Sequence, residues 1–225
     1  MLTSCKFSPA GAWDAGMKEF TQLNDRGCFH PIDAATLTQM ERKRTMSMVV
    51  FTVKKSDGTI KTRACANGST QREFIPAADA GSPTVATQSI FMSSMIDAHE
   101  GRHTMTLDIP NAFIQTEHPE RDKDGCRFVM RMTGPMVDMM VSVAPEVYAD
   151  YVVIENGKKV LYLQVDKAIY GMLQSALLFY KKWRTDLEAK GFVINPCDPC
   201  VANKMPRTYT AIAHGILHYC VAQTS

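Results

Sequence analysis

The chain has 225 residues, 45% hydrophobic and 21% charged, which predicts a globular protein of one large domain or two small ones. Its seven cysteines are odd in number and irregularly spaced, which argues against a disulfide framework. No stretch approaches the ~20 apolar residues of a membrane span, and Met1–Lys6 opens no apolar core of signal-peptide length, so an intracellular protein, cytoplasmic or nuclear, is expected. The formal charge of +2 decides nothing about nucleic acid, but its distribution is uneven. The window from Thr38 to Glu73 holds eight Lys and Arg against three acids and carries +5, leaving −3 for the rest. Such a stretch can follow a phosphate backbone or can simply be a solvated helix face and hairpin.

In chain order, residues 1–30 show Gly11, Gly16 and Gly27 and no sustained periodicity, so they are expected to be irregular. Ala34 to Met48 is expected to be a helix capped near Asp33 or Thr38. Val49–Val53 is β-branched and apolar, Ser56-Asp57-Gly58 is a turn signal, and Thr59–Ala64 alternates, which together predict a hairpin. Ser82 and Pro83 suggest the start of a helix running to Glu100 and stopped by Gly101. Met105–Ile109 reads as a strand ended by Pro110. Cys126–Met132 and Val160–Val165 are further strands, with short helical pieces between Pro135 and Asp150. Gln174–Lys190 predicts a helix with Leu177, Leu178, Tyr180, Trp183 and Leu187 on its apolar side, ended by Gly191. Beyond Pro196 and Pro199 the chain is expected to be extended. The mixture of helices and hairpins favours an α+β fold.

Few residues announce chemistry by themselves. Asp108 ends an apolar strand beside a turn, where a carboxylate can hold Mg²⁺ or cap the next helix. Lys54, Lys55, Lys61 and Arg63 on the hairpin could grip a phosphate, Arg63 bidentately. Cys197-x2-Cys200 followed by His214-x3-His218 has the spacing of a Cys2His2 zinc site. Lys204 and Thr210 stand where such a finger needs large apolar residues, however, and Pro206 interrupts the region. Asp122-Lys123-Asp124-Gly125 reads as a solvated turn, because no downstream Glu completes a calcium loop.

Five blocks taken together resemble one family. Lys61–Gln71 (KTRACANGSTQ) resembles its KARLVAKGxxQ block and Ser82–Val85 its SPT segment. Leu107–Phe113 resembles DVxNAF, Ala168–Ser175 (AIYGMLQS) resembles ALYGLKQS, and Asp198–Val201 resembles DxCVF. Their order and spacing, from about residue 16 to about 204, are similar to the reverse transcriptase of Ty1/copia retrotransposons, an RNA-directed DNA polymerase. The resemblance implies a right-hand polymerase fold in which fingers and a partial ferredoxin-like palm occupy residues 31–204, between an irregular 1–30 segment and a divergent 205–225 tail. It implies that Asp108 is the first catalytic aspartate and a Mg²⁺ ligand, and that the Ile109 carbonyl is a further ligand. Asn111 and Ala112 would approach the triphosphate and Phe113 would lie under the sugar, excluding a 2′-hydroxyl. Arg63, with Lys54 or Lys55, would hold the triphosphate, and Gln174 would contact the nucleotide near its 3′-hydroxyl. The partners implied are a dNTP and an RNA or DNA primer–template.

Two departures stand out. Ala176-Leu177 replaces the family's Pro-Arg. More seriously, the family's aspartate-pair hairpin should fall where this chain reads Ala211–Tyr219 (AIAHGILHY), and no Asp or Glu occurs after Asp198. Two Mg²⁺ ions a few Å apart need several carboxylate oxygens. The expectation is therefore an inactive remnant, whose sheet would have unpaired edges if the hairpin itself were missing. The alternatives are a nucleic-acid-binding module without chemistry and a C-terminal zinc module.

Overall fold

A computed structural model of the protein describes residues 11–204, 209–214 and 217–222. In chain order these form α1 (Ala12–Asp25), β1 (Phe29–Pro31), α2 (Gln39–Arg44), β2 (Met46–Lys54), β3 (Ile60–Ala66), α3 (Thr87–His99) and β4 (His103–Asp108). There follow β5 (Val129–Thr133), α4 (Pro135–Val143), α5 (Pro145–Tyr148), β6 (Val153–Glu155), β7 (Lys158–Val165), α6 (Ser175–Ala189) and β8 (Phe192–Asn195). Last come β9 (Asp198–Lys204), β10 (Tyr209–His214) and β11 (Leu217–Ala222). Helix and sheet are mixed, and among the described residues the only parallel pairing between these strands is that of β2 with β5. The chain divides into two compact units, Met1–Asp79 with Phe113–Ser175, and Ala80–Ala112 with Ala176–Ser225.

The first unit is built on a sheet of order β1-β7-β5-β2-β3, with β6 added to β7. Strand β7 is buried at Val160, Leu161, Tyr162, Leu163 and Val165, a near-continuous run that marks a strand covered on both faces. Helix α1 buries Ala12, Gly16, Phe20 and Leu23, a helical spacing that corrects the expectation of an irregular N-terminal segment over these residues. The stripe is hard to read because Gly16 stands in it. Its lack of a side chain admits α4, since a Cβ there would lie 3.1 Å from the Met139 sulfur.

The helix expected over Ala34–Met48 is instead a 3-10 turn (Ala34–Thr36), then α2, then the start of β2 at Met46. Both suggested caps are used, each for its own element. Asp33 accepts from the Ala35 N–H, and Thr38 forms a reciprocal capping box with Glu41. Met46, Met48 and Val50 then alternate inward, a period of two that a helix cannot satisfy.

In the second unit the sheet order is β4-β11-β10-β9-β8. Trp183, Tyr180 and Leu187 of α6 pack with Val85, Ile90, Cys200, Val201, Ala202 and Ile212 in one apolar cluster, much as the helical stripe predicts. Helix α3 begins at Thr87, not at Ser82-Pro83. Its first free backbone N–H, on Ala86, donates to the Asp198 carboxylate at 2.9 Å, so the cap comes from a distant strand and not from the preceding serine. Burial pushes the Asp198 carboxyl up, but hydrogen bonds from Ser89, Ala86 and Cys200 outweigh it and hold it below its ordinary range. Gly101, at φ +62°, lies just past the helix end, as expected.

The region where the aspartate-pair hairpin was expected forms two paired strands, so the unpaired sheet edge considered for a missing hairpin does not arise there. Strands β10 and β11 pair from Tyr209↔Ala222 to His214↔Leu217 and lie between β9 and β4. Neither strand bears an acid.

Candidate functional site

In the first unit the β2–β3 register sets Phe51 opposite Arg63, Val53 opposite Lys61 and Lys54 opposite Ile60. Successive side chains alternate across a strand, so Lys61 and Arg63 share one face with Phe51 and Val53, while Lys54 belongs to the other. Phe51 and Val53 are exposed, as is Lys61, and Arg63 is half-buried. Lys54 and Lys55 are exposed at the tip, where the Lys55 backbone closes the turn with Thr59 and Gly58. Lys54 lies three residues along β2 from Phe51, about 10 Å of strand.

Three other basic residues of the window, Arg42, Lys43 and Arg44, make contacts within the fold. Arg42 donates to the Ala34 carbonyl at 2.5 Å. Arg44 donates to Asp122 at 2.5 Å and to Asp124 at 2.6 Å, with its guanidinium 4.5 Å from the Phe74 ring centroid. In the Asp122–Gly125 turn Lys123, Asp124 and Gly125 are exposed, as a solvated turn predicts, but the Asp122 side chain is 7% exposed and accepts from the Asp124 and Cys126 N–H groups. Lys43 reaches Glu73 at 3.9 Å, both exposed.

Two sequence-distant residues, Arg63 and Phe113, meet at Tyr170. The Arg63 guanidinium carbon lies 4.8 Å from the centre of the Tyr170 ring. The Phe113 ring lies 4.7 Å from the same ring, inclined at 52°. Phe113 follows directly in sequence on the Asp108–Ala112 segment, and Arg63 lies on β3. Tyr170, which the sequence offers only as part of a block, is thus the shared contact of two expected nucleotide-binding residues. An aromatic between separate motifs is the signal that could have singled it out, but only the fold shows what it touches.

Tyr170 sits in a backbone lock. Its carbonyl accepts from the Ala66 N–H at 2.8 Å. Gly171 has φ +92°, and a Cβ on it would lie 2.0 Å from the Ala66 oxygen; a Cβ on Gly68 would lie 2.4 Å from the Gly171 oxygen. Gln71 is fully buried and accepts from the Leu173 N–H at 2.8 Å. The Ser175 hydroxyl donates to the Ile169 carbonyl at 2.6 Å. Gln174 is half-buried, and its Oε1 is shielded from solvent with no hydrogen-bond partner among the described residues.

The remaining expected site residues lie in the second unit. Asp108 is the last residue of β4, an edge strand exposed along its whole length, and pairs in register with Leu217. Ile109 is half-buried, Asn111 takes a left-handed φ of +56°, and Ala112 is fully buried. A left-handed Asn is tolerated because its short polar side chain can bond locally. Among the described residues no three carboxylate, imidazole or thiol groups come together, and the strands beside Asp108 bring no acid. One carboxylate does not match the donor set that two Mg²⁺ ions require.

Of the zinc spacing, only the two cysteines have described side chains. Cys200 is 1% exposed within the apolar cluster. Burial, then the Asp198 charge, pushes its thiol up to about 11, the opposite of what a thiolate ligand needs. Cys197 is exposed, and the side chains of His214 and His218 lie outside the described residues. No helix among the described residues is long and apolar enough to cross a membrane. Compared with models of known protein families and with curated proteins, the chain matches none.

Proposed function

We propose that this chain is a piece of a Ty1/copia-type reverse transcriptase that keeps part of the nucleotide grip and has lost the carboxylate pair of the metal centre. The observation that carries this reading is the meeting of Arg63, Phe113 and Tyr170, which come from three of the five blocks resembling that family. Supporting it, the Gly68–Gln71 and Gly171–Leu173 segments interlock, so two of those blocks form one packed unit. The β10–β11 hairpin also lies beside Asp108, the place the family reserves for its aspartate pair.

In this reading the β2–β3 hairpin belongs to the fingers and the second unit's sheet is a palm remnant. Arg63 offers a planar fork of donors suited to phosphate oxygens, with Lys61 on the same face and Lys54 and Lys55 beyond. Phe113 limits the space beneath the sugar and Gln174 presents an amide to the nucleotide. Asp108 would be a ligand for Mg²⁺, the ion that supplies charge neutralisation in family members, but the donor set here does not fit a pair of ions. The partners are a nucleoside triphosphate and a primer–template, which implies the cytoplasm or nucleus.

A primer-extension assay with Mg²⁺ or Mn²⁺ tests the catalytic half of this reading. The purified chain is expected to add no nucleotide to an annealed primer; template-dependent incorporation would contradict the loss of the metal centre.

A further inference from the structure

We propose that Tyr170 is the positioning residue of the nucleotide site, holding the Arg63 guanidinium and the Phe113 ring against one aromatic ring so that triphosphate and sugar are read by a single rigid assembly. The inference rests on the nucleotide reading above and adds a residue to which that reading gives no role. Arg63 and Phe113 belong to segments fifty residues apart, and each contacts the same ring at less than 5 Å.

That ring stands on a fixed base. Ala66 bonds to the Tyr170 carbonyl, Gly171 is pressed against Ala66, and Ser175 holds the Ile169 carbonyl. The Tyr170 ring limits where the Arg63 guanidinium beside it can lie, and the position of that planar fork decides which phosphate oxygens it can meet bidentately. Each contact that orders a side chain before binding lowers the entropy lost when a ligand arrives. Phe113 gains its lateral support from the same ring, so the height and tilt of the surface beneath the sugar depend on Tyr170. Discrimination between a deoxyribose and a ribose is a matter of one oxygen atom and is sensitive to small displacements of that surface.

The test is titration calorimetry of the full chain with the magnesium complexes of dATP and ATP, for wild type, Tyr170→Leu, Tyr170→Phe, Arg63→Ala and the Arg63→Ala/Tyr170→Leu double variant. Tyr170→Leu should weaken dATP binding roughly tenfold, the scale of a partly desolvated cation–π contact, and should lower the preference for dATP over ATP. Tyr170→Phe, which keeps the ring, should restore both relative to Leu. The double variant should lose less than the sum of the single losses, because both remove one interaction. An Arg63 Nε–H resonance displaced in Tyr170→Leu but not in Tyr170→Phe would report the ring's influence on the guanidinium directly. Binding by wild type with an unchanged affinity and preference in Tyr170→Leu overturns the inference and leaves the nucleotide site standing. Absence of triphosphate binding by wild type overturns the site itself and the inference with it.

Discussion

Gly171→Ala is expected to destabilise the first unit by about 3 kcal/mol or more, the sum of a left-handed backbone penalty of roughly 1–2 kcal/mol and an overpacking term of similar size. The added Cβ would lie 2.0 Å from the Ala66 oxygen, a backbone atom that cannot swing aside as a side chain can. Ala66 is also the residue that bonds to the Tyr170 carbonyl, so relief of the clash must part the tyrosine from β3. Gly58→Ala separates the two terms: Gly58 has φ +81° with open space around it, so it should show the backbone penalty alone, about 1 kcal/mol. Urea unfolding of both variants measures the difference. Equal midpoints would mean that the contact between the Gly171 turn and β3 is not as close as described.

The second large effect lies in the Glu41–Arg127 pair. Glu41 is 2% exposed. It accepts from the Arg127 backbone N–H at 3.0 Å and Nε at 2.8 Å through one oxygen, and from an Arg127 terminal nitrogen at 2.9 Å and the Thr38 N–H at 3.0 Å through the other. The Arg127 hydrogen bond foremost, working against the burial of the carboxyl and helped by the Thr38 N–H, lowers its pKa from 4.5 to about 2. The folded value lies below the unfolded one, so the stabilisation is complete above about pH 4.5 and is lost as pH falls toward 2. A shift of this size corresponds to about 3 kcal/mol. Glu41→Ala removes it at every pH and leaves a largely buried arginine unpaired, a loss of about 3–5 kcal/mol near neutrality. Stability should therefore fall with acid more steeply in wild type than in Glu41→Ala, and the two curves should converge toward pH 2. A gap between them that stays constant from pH 7 to pH 3 would show that the carboxylate's charge is not what matters.

How far each element could be read from the sequence follows from how local its cause is. The β2–β3 hairpin is written in adjacent residues, with β-branched strands around an Asp57-Gly58 turn, and it forms as expected. Helix α6 and its stop at Gly191 depend likewise on local periodicity and a left-handed glycine. Helix α3 misleads because its cap is Asp198, more than a hundred positions away. The α2–β2 boundary misleads because three basic residues and a cap signal continue a helical pattern that the inward alternation of Met46, Met48 and Val50 overrides.

The candidate site shows the same division. Arg63 and Phe113 stand out in their blocks, but that they share Tyr170 is a tertiary fact. The division of the basic window is also tertiary: Arg42 and Arg44 are engaged within the fold, Arg63 lies against Tyr170, and Lys61 is exposed. The absence of acid from β10 and β11 was legible at once; that these strands still form a hairpin next to Asp108 was not.

The most direct test of the central claim is the affinity of the chain for a primer–template with a 5′ overhang, measured from low to high salt for wild type and Lys61→Ala/Arg63→Ala. Each phosphate neutralised contributes a slope of about −0.7 to −0.9 in log affinity against log salt. The double substitution is expected to weaken binding at low salt and to flatten the slope by the equivalent of roughly two phosphates. Identical affinities and identical slopes would contradict the reading of the β2–β3 hairpin as polymerase fingers that meet a primer–template.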